Sequence, residues 1–107
     1  MKVDKFIPYV LKKHGDRMQV DVCIEEMAEL TKEFSKYKRG NPDFEHIKEE
    51  LADVELCIRQ MCYMVDMGEL EMEQRIQGKI DRYFDRHNEE EEHPVHLVYN
   101  ELLNFIG

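Results

Sequence analysis

Two long stretches of this chain carry apolar residues at alternating spacings of four and three. They are Cys23, Met27, Leu30, Phe34 and Tyr37, then Ile47, Leu51, Val54, Ile58, Met61 and Val65. That spacing holds a stripe on one face of an α-helix, and it is the spacing that buries a seam between neighbouring helices. Between the stretches lies Lys38-Arg39-Gly40-Asn41-Pro42-Asp43. A glycine, an Asn-Pro step and an aspartate placed to cap the next helix make this a turn. Two helices joined by a short reversal must pack antiparallel. In heptad letters Met27, Phe34, Leu51 and Ile58 take position a, and Cys23, Leu30, Ile47 and Val54 take d. Antiparallel packing sets a beside d. Pairing Cys23 with Ile58, Met27 with Val54, Leu30 with Leu51 and Phe34 with Ile47 centres every pair on one point in the turn, so one hairpin satisfies all the layers.

The remaining segments read as helix too. A first helix is expected over roughly Lys5 to His14, with Asp4 as N-cap and Gly15 as its stop. The second is expected over roughly Asp16 to Tyr37 and the third over roughly Phe44 to Met67, ended by Gly68. A fourth, roughly Glu69 to His87, carries Ile76, Ile80 and Tyr83. No segment shows the period-2 alternation of a strand, so the expected fold class is all-α. Apolar residues off the seam (Val20, Ile24, Ala28, Leu56, Cys57 and Met64) exceed what three long helices can cover. That surplus points to a homodimer or homotetramer built as a four-helix-bundle-like assembly. The helical domain is expected over residues 1–88 and a separate tail over 89–107. The tail comprises the acidic run Glu89 to Glu92, His93-Pro94, and a short amphipathic helix from Val95 to Ile106. His93 and His96 read as surface histidines around a proline, because one pair cannot fill a coordination sphere.

At 107 residues the chain has room for one core. Its formal net charge of −9 argues against a nucleic-acid polymer as partner, since phosphate backbones demand a basic footprint. It leaves open a small phosphorylated ligand, because a bound divalent cation inverts the local charge. The opening Met1-Lys2-Val3-Asp4 lacks the apolar run of a signal peptide, and no stretch approaches the ~18–20 apolar residues of a membrane span. A cytoplasmic protein without membrane contact is expected. The cysteines Cys23, Cys57 and Cys62 are odd in number and lack metal-type spacing. Cys23 and Cys57 are therefore expected to be reduced, buried and small.

The chemistry lies in a repeat. Glu25-Glu26-Met27-Ala28-Glu29-Leu30 recurs as Glu49-Glu50-Leu51-Ala52-Asp53-Val54. Each copy sets two acids three residues apart on one helix face, Glu26 with Glu29 and Glu50 with Asp53. In the hairpin register Glu26 and Glu50 take g while Glu29 and Asp53 take c, on the same flank of each seam. Four carboxylates are then expected to converge at one height. The bland alternative is a solvated acidic face paired with Lys32, Lys36 and Lys48, which leaves unexplained why like charges crowd at unfavourable spacing. A cation resolves the repulsion. Oxygen-only ligands without an adjacent histidine or cysteine suit Mg²⁺, or Mn²⁺, better than zinc. A di-iron bundle needs Glu-x-x-His on two helices, and here that spacing occurs only at Glu90/His93.

Glu25-Glu26-x-x-Glu29 followed by Glu50-x-x-Asp53 resembles the signature of the MazG-like all-α nucleotide pyrophosphohydrolases, over roughly residues 14 to 86. The resemblance implies magnesium-dependent hydrolysis of a nucleoside triphosphate to the monophosphate and pyrophosphate. It implies Glu26, Glu29, Glu50 and Asp53 as metal ligands, and Glu25 as the group that orients or deprotonates the attacking water or helps hold a second ion. It also implies a homo-oligomer. Phosphate charge left over needs lysine or arginine. Arg75, Lys79, Arg82 and Arg86 form a stripe on the fourth helix, from which the analogy favours Lys79 and Arg82. Lys36, two turns beyond Glu29, is a further candidate, and Gln19, two turns before the motif, is a candidate for the base. Two other classes fit the same residues: a catalytically silent nucleotide- or metal-binding regulatory module, and a dimerising adaptor whose acids are surface charge.

Overall fold

The computed structural model describes residues 1–87, and these form four helices with no strand among the described residues: α1 (Val3–His14), α2 (Asp16–Lys38), α3 (Phe44–Met64) and α4 (Glu69–His87). The acidic run Glu89 to Glu92, the histidines at 93 and 96, and the expected helix from Val95 to Ile106 lie outside the described residues. The chain divides into two units, the first ending at Gly68 and the second beginning at Glu69. No described helix is long and apolar enough to cross a membrane.

In the first unit α1 presents Ile7, Val10 and Leu11 as its buried face, spaced three and one, and it packs against both α2 and α3. The helix begins two residues earlier than the sequence suggests. Lys2 is the cap, with no side-chain bond, and its carbonyl accepts from the amides of Lys5 (3.1 Å) and Phe6 (2.9 Å). Asp4 is thereby moved from the cap into the first turn, where its charge meets the positive helix end. At Gly15, φ is +86° and ψ is 157°, a conformation reserved for glycine, and α2 starts at the next residue.

The two long helices end in the same way. At the end of α2 the Asn41 amide donates to the Lys36 carbonyl (3.0 Å) and the Gly40 amide to that of Tyr37 (3.0 Å), with Gly40 at φ +82°. This is the Schellman arrangement, with glycine in the left-handed position. At the end of α3 the Met67 amide donates to Cys62 (2.8 Å) and the Asp66 amide to Tyr63 (3.2 Å), with Asp66 at φ +55°. An aspartate fills the glycine position, so α3 stops at Met64 rather than continuing to Met67. Val65, expected on the stripe, is its exposed C-cap. The start of α3 is as expected: Asp43 accepts from the His46 amide at 3.1 Å.

Contacts between α2 and α3 run in opposite senses along the two helices, with Glu33 beside His46 near the turn and Cys23 beside Cys57 further away. The Cys23 thiol donates to the Cys57 carbonyl at 3.9 Å, one residue from the expected partner Ile58. Both thiols are buried and free, as their positions suggested.

The buried rows differ from the expected seam. Cys23, Ile47 and Val54, all d positions, are buried, but Met27, Phe34 and Leu51 at a are 38 %, 46 % and 44 % exposed. Their places are taken by the g row: Glu33, Glu50 and Cys57 are buried and Glu26 is half-buried. Each helix is thus turned toward its acidic flank.

α4 buries none of its residues. It is held by its own turns, with Arg75 on Glu71 (2.8 Å), Gln77 on Asp81 (2.9 Å) and the Tyr83 and His87 rings stacked at 4.3 Å.

Candidate metal centre

The rotation toward the acidic flank brings three of the four expected carboxylates together. Glu26 from α2 and Glu50 and Asp53 from α3 each offer an oxygen, and these oxygens all lie within 4.8 Å of one another. Glu26 is half-buried, Glu50 buried and Asp53 exposed, so the group has one side in the protein and one open to solvent. Glu29, the fourth expected ligand, is exposed one turn further along α2 and does not join the trio. Glu25 and Glu49 are exposed as well.

The trio has an electrostatic signature. Burial, followed by the nearby Asp53 and Glu50 carboxylates, raises the Glu26 pKa above its ordinary value. Like charges in a partly desolvated place disfavour the ionised form. The usual relief, a lysine or arginine, is missing, and the one basic group beside the trio among the described residues is the His46 ring, 3.3 Å from Glu50. Lys36 pairs with Glu33 (3.1 Å) and Lys48 with Glu45 (3.3 Å). Among the described residues no lysine or arginine forms an ion pair with Glu26, Glu50 or Asp53. Glu50 adds a further sign: its Oε2 is buried and has no hydrogen-bond partner, a state shared among the described residues by Glu33 Oε2 and Gln60 Oε1. Buried polar atoms are rarely left so, and an unpartnered carboxylate oxygen among other carboxylates fits a cation as its missing partner.

The donor set fits a hard divalent ion. All three ligand atoms are carboxylate oxygens, the preference of Mg²⁺ and Mn²⁺. Ligand atoms around an octahedral ion with bonds of about 2.1 Å lie about 3–4 Å apart, so small side-chain rotations bring this trio into range.

Next to the trio is a second polar group that the motif did not reveal. Glu33 is fully buried, at 0 % exposed. Its Oε1 accepts from Lys36 Nζ at 3.1 Å and faces His46 Nδ1 at 2.9 Å. The other ring nitrogen, Nε2, faces Glu50 Oε1 at 3.3 Å. The signal was present in the spacing: Glu33 follows Glu26 by seven residues, hence the same heptad row, and His46 precedes Glu50 by four.

The expected substrate contacts fare unevenly. Lys36 is engaged with Glu33 rather than free beside the acids. Gln19 is buried near the start of α2, not exposed, about 10 Å along the helix from Glu26. Lys79 and Arg82 lie on α4 in the second unit, where with Tyr83, Arg86 and His87 they line a hollow of about 360 Å³.

Compared with models of protein families, with characterised proteins and with solved structures, the chain matches none.

Proposed function

We propose that the chain is a magnesium-dependent nucleoside triphosphate pyrophosphohydrolase whose metal ligands are Glu26, Glu50 and Asp53. One observation carries the reading: three carboxylates from two helices converge with no lysine or arginine paired to them among the described residues, and one of their buried oxygens is unsatisfied. The resemblance of the acidic motifs to the MazG-like family supplies the reaction. Glu29, one turn from Glu26, is the fourth ligand when its exposed side chain swings inward.

In the proposed reaction a water oxygen bonds to the α-phosphorus of the triphosphate, and the bond from that phosphorus to the α,β-bridging oxygen breaks. Pyrophosphate departs with that oxygen and its electron pair, and the water proton passes to Glu25 as general base. Magnesium, when bound, supplies neutralisation of the nonbridging oxygens and of the departing pyrophosphate. Glu25 is exposed and adjacent to a ligand position, as a group meeting bulk water requires. Lys79 and Arg82, which line a basic hollow within the second unit, are kept as candidate phosphate-binding residues on the strength of the resemblance.

The same reading includes self-association. Met27, Phe34 and Leu51 are apolar and substantially exposed, as are Ile24 on α2 and Ile76 and Ile80 on α4. A second copy covering the a row gives these residues the burial their spacing calls for, in an antiparallel hairpin doubled into a four-helix bundle.

The test is product analysis by ³¹P NMR over a panel of ordinary and modified triphosphates, with Mg²⁺ and with EDTA. Monophosphate plus pyrophosphate, formed only with Mg²⁺, is the expected result. Stepwise release of orthophosphate contradicts the reaction. Absence of turnover with retained Mg²⁺ binding would leave a silent binding module instead.

A further inference from the structure

We propose that Glu33 and His46 form a positioning pair that fixes the carboxylate of Glu50 for cation binding. The inference rests on the reading of Glu50 as a metal ligand, and it concerns residues outside the acidic motifs.

Glu33 occupies a g position, where the seam could hold a hydrophobic side chain at no electrostatic cost. Complete burial of a carboxylate is expensive unless its partners are well placed. Its partners, Lys36 one turn along α2 and His46 across the interface, both meet Oε1, while Oε2 is buried without one. The histidine backbone is itself fixed, because its amide is the one capped by Asp43 at the start of α3. With its main chain held there, the half-exposed ring spans the two helices, Nδ1 2.9 Å from Glu33 Oε1 and Nε2 3.3 Å from Glu50 Oε1. The two ring nitrogens thus lie against two carboxylates, one on each helix. Glu50 is only 8 % exposed, so its rotamers are few. One oxygen is engaged by His46, and the other is buried and unpartnered. The ring thus decides which oxygen of Glu50 is left for a cation. Carboxylate ligands of metals are commonly held by such outer partners, whose loss costs about 10–100-fold in metal affinity.

The probe is Mn²⁺ alone, titrated by EPR at one fixed pH and at a temperature where circular dichroism shows every variant folded. His46→Ala is expected to weaken Mn²⁺ binding about 10–100-fold. His46→Gln, whose amide can still donate to Glu50, is expected to recover part of that loss. Glu33→Gln, which keeps an acceptor for the ring, is expected to fall between wild type and His46→Ala. A purely structural role lowers the melting temperature of these variants and leaves the Mn²⁺ dissociation constant unchanged, and that result overturns the proposal. Glu50→Gln separates the two levels of failure. If it abolishes binding while His46→Ala and Glu33→Gln bind as wild type, only the positioning claim is lost. If wild type binds no Mn²⁺, the metal site and the positioning pair fall together.

Discussion

Glu26 states the problem that the site must solve. Its carboxyl pKa is raised by burial and by the neighbouring acids, so the folded chain holds that proton more tightly than the unfolded chain does. Stability without metal must then fall as pH rises from the ordinary glutamate value near 4.5 through the raised one, and the full penalty is present above it. Glu26→Gln removes the charge and keeps the bulk. Its urea midpoint at pH 7 in EDTA should exceed that of wild type, and its stability should vary less with pH between 4 and 7. For turnover the order reverses. Glu50→Gln and Asp53→Asn should lower kcat by more than the about 10–100-fold typical of residues that only support a ligand. Glu49→Gln, exposed and outside the trio, should stay near wild type. Glu25→Gln should lose turnover and keep Mg²⁺ affinity. The thiols give an independent reading of packing. Burial and the adjacent Cys23 push the Cys57 pKa up to about 12, so Cys57 carries almost no thiolate at neutral pH. Native protein should show Cys62, which is only half-buried, reacting first with a thiol reagent, and Cys23 and Cys57 reacting only on unfolding.

At the scale of elements, the ends of the helices make the sharpest predictions. Asp66 holds the left-handed position that ends α3, where a side chain is strained and glycine is not. Asp66→Gly should raise the urea midpoint by an amount equal to about 1 kcal/mol, with an unchanged slope. Gly15 is the converse case: nothing lies within 4 Å of where a Cβ would stand, so Gly15→Ala should cost about 1–3 kcal/mol through the backbone alone. These sites also show what the sequence makes legible. The four helices follow from spacing and punctuation: Gly15, the 38–43 turn and Asp43 mark boundaries that local chemistry fixes. Asp66 was not legible as a terminator because aspartate takes the left-handed conformation only when the surrounding hydrogen bonds impose it. The seam was half legible. On α2 the d row of Cys23 and Leu30 is flanked on one side by Met27 and Phe34 and on the other by Glu26 and Glu33. Hydrophobicity alone chooses the methionine and phenylalanine side. The fold turns the glutamates inward, where Glu33 meets Lys36 on its own helix and His46 across the interface, and no one-dimensional pattern displays that cross-helix contact.

For the whole molecule, the acid site and the exposed apolar row are two consequences of one rotation. Turning both helices toward the g flank gathers Glu26, Glu50 and Asp53 and leaves Met27, Phe34 and Leu51 outside. Self-association is the expected remedy for that surface, and Phe34→Glu should shift the mass seen by light scattering to that of a single chain without loss of helicity. If the gathered acids hold a divalent cation, its binding must be linked to stability. A ligand bound only by the folded state stabilises it by about 2.7 kcal/mol at a hundred times its dissociation constant. Thermal unfolding in increasing Mg²⁺ should therefore show the melting temperature of wild type rising progressively, while that of Asp53→Asn stays nearly flat. Equal rises in both proteins, or none in either, would mean that these acids do not hold the cation.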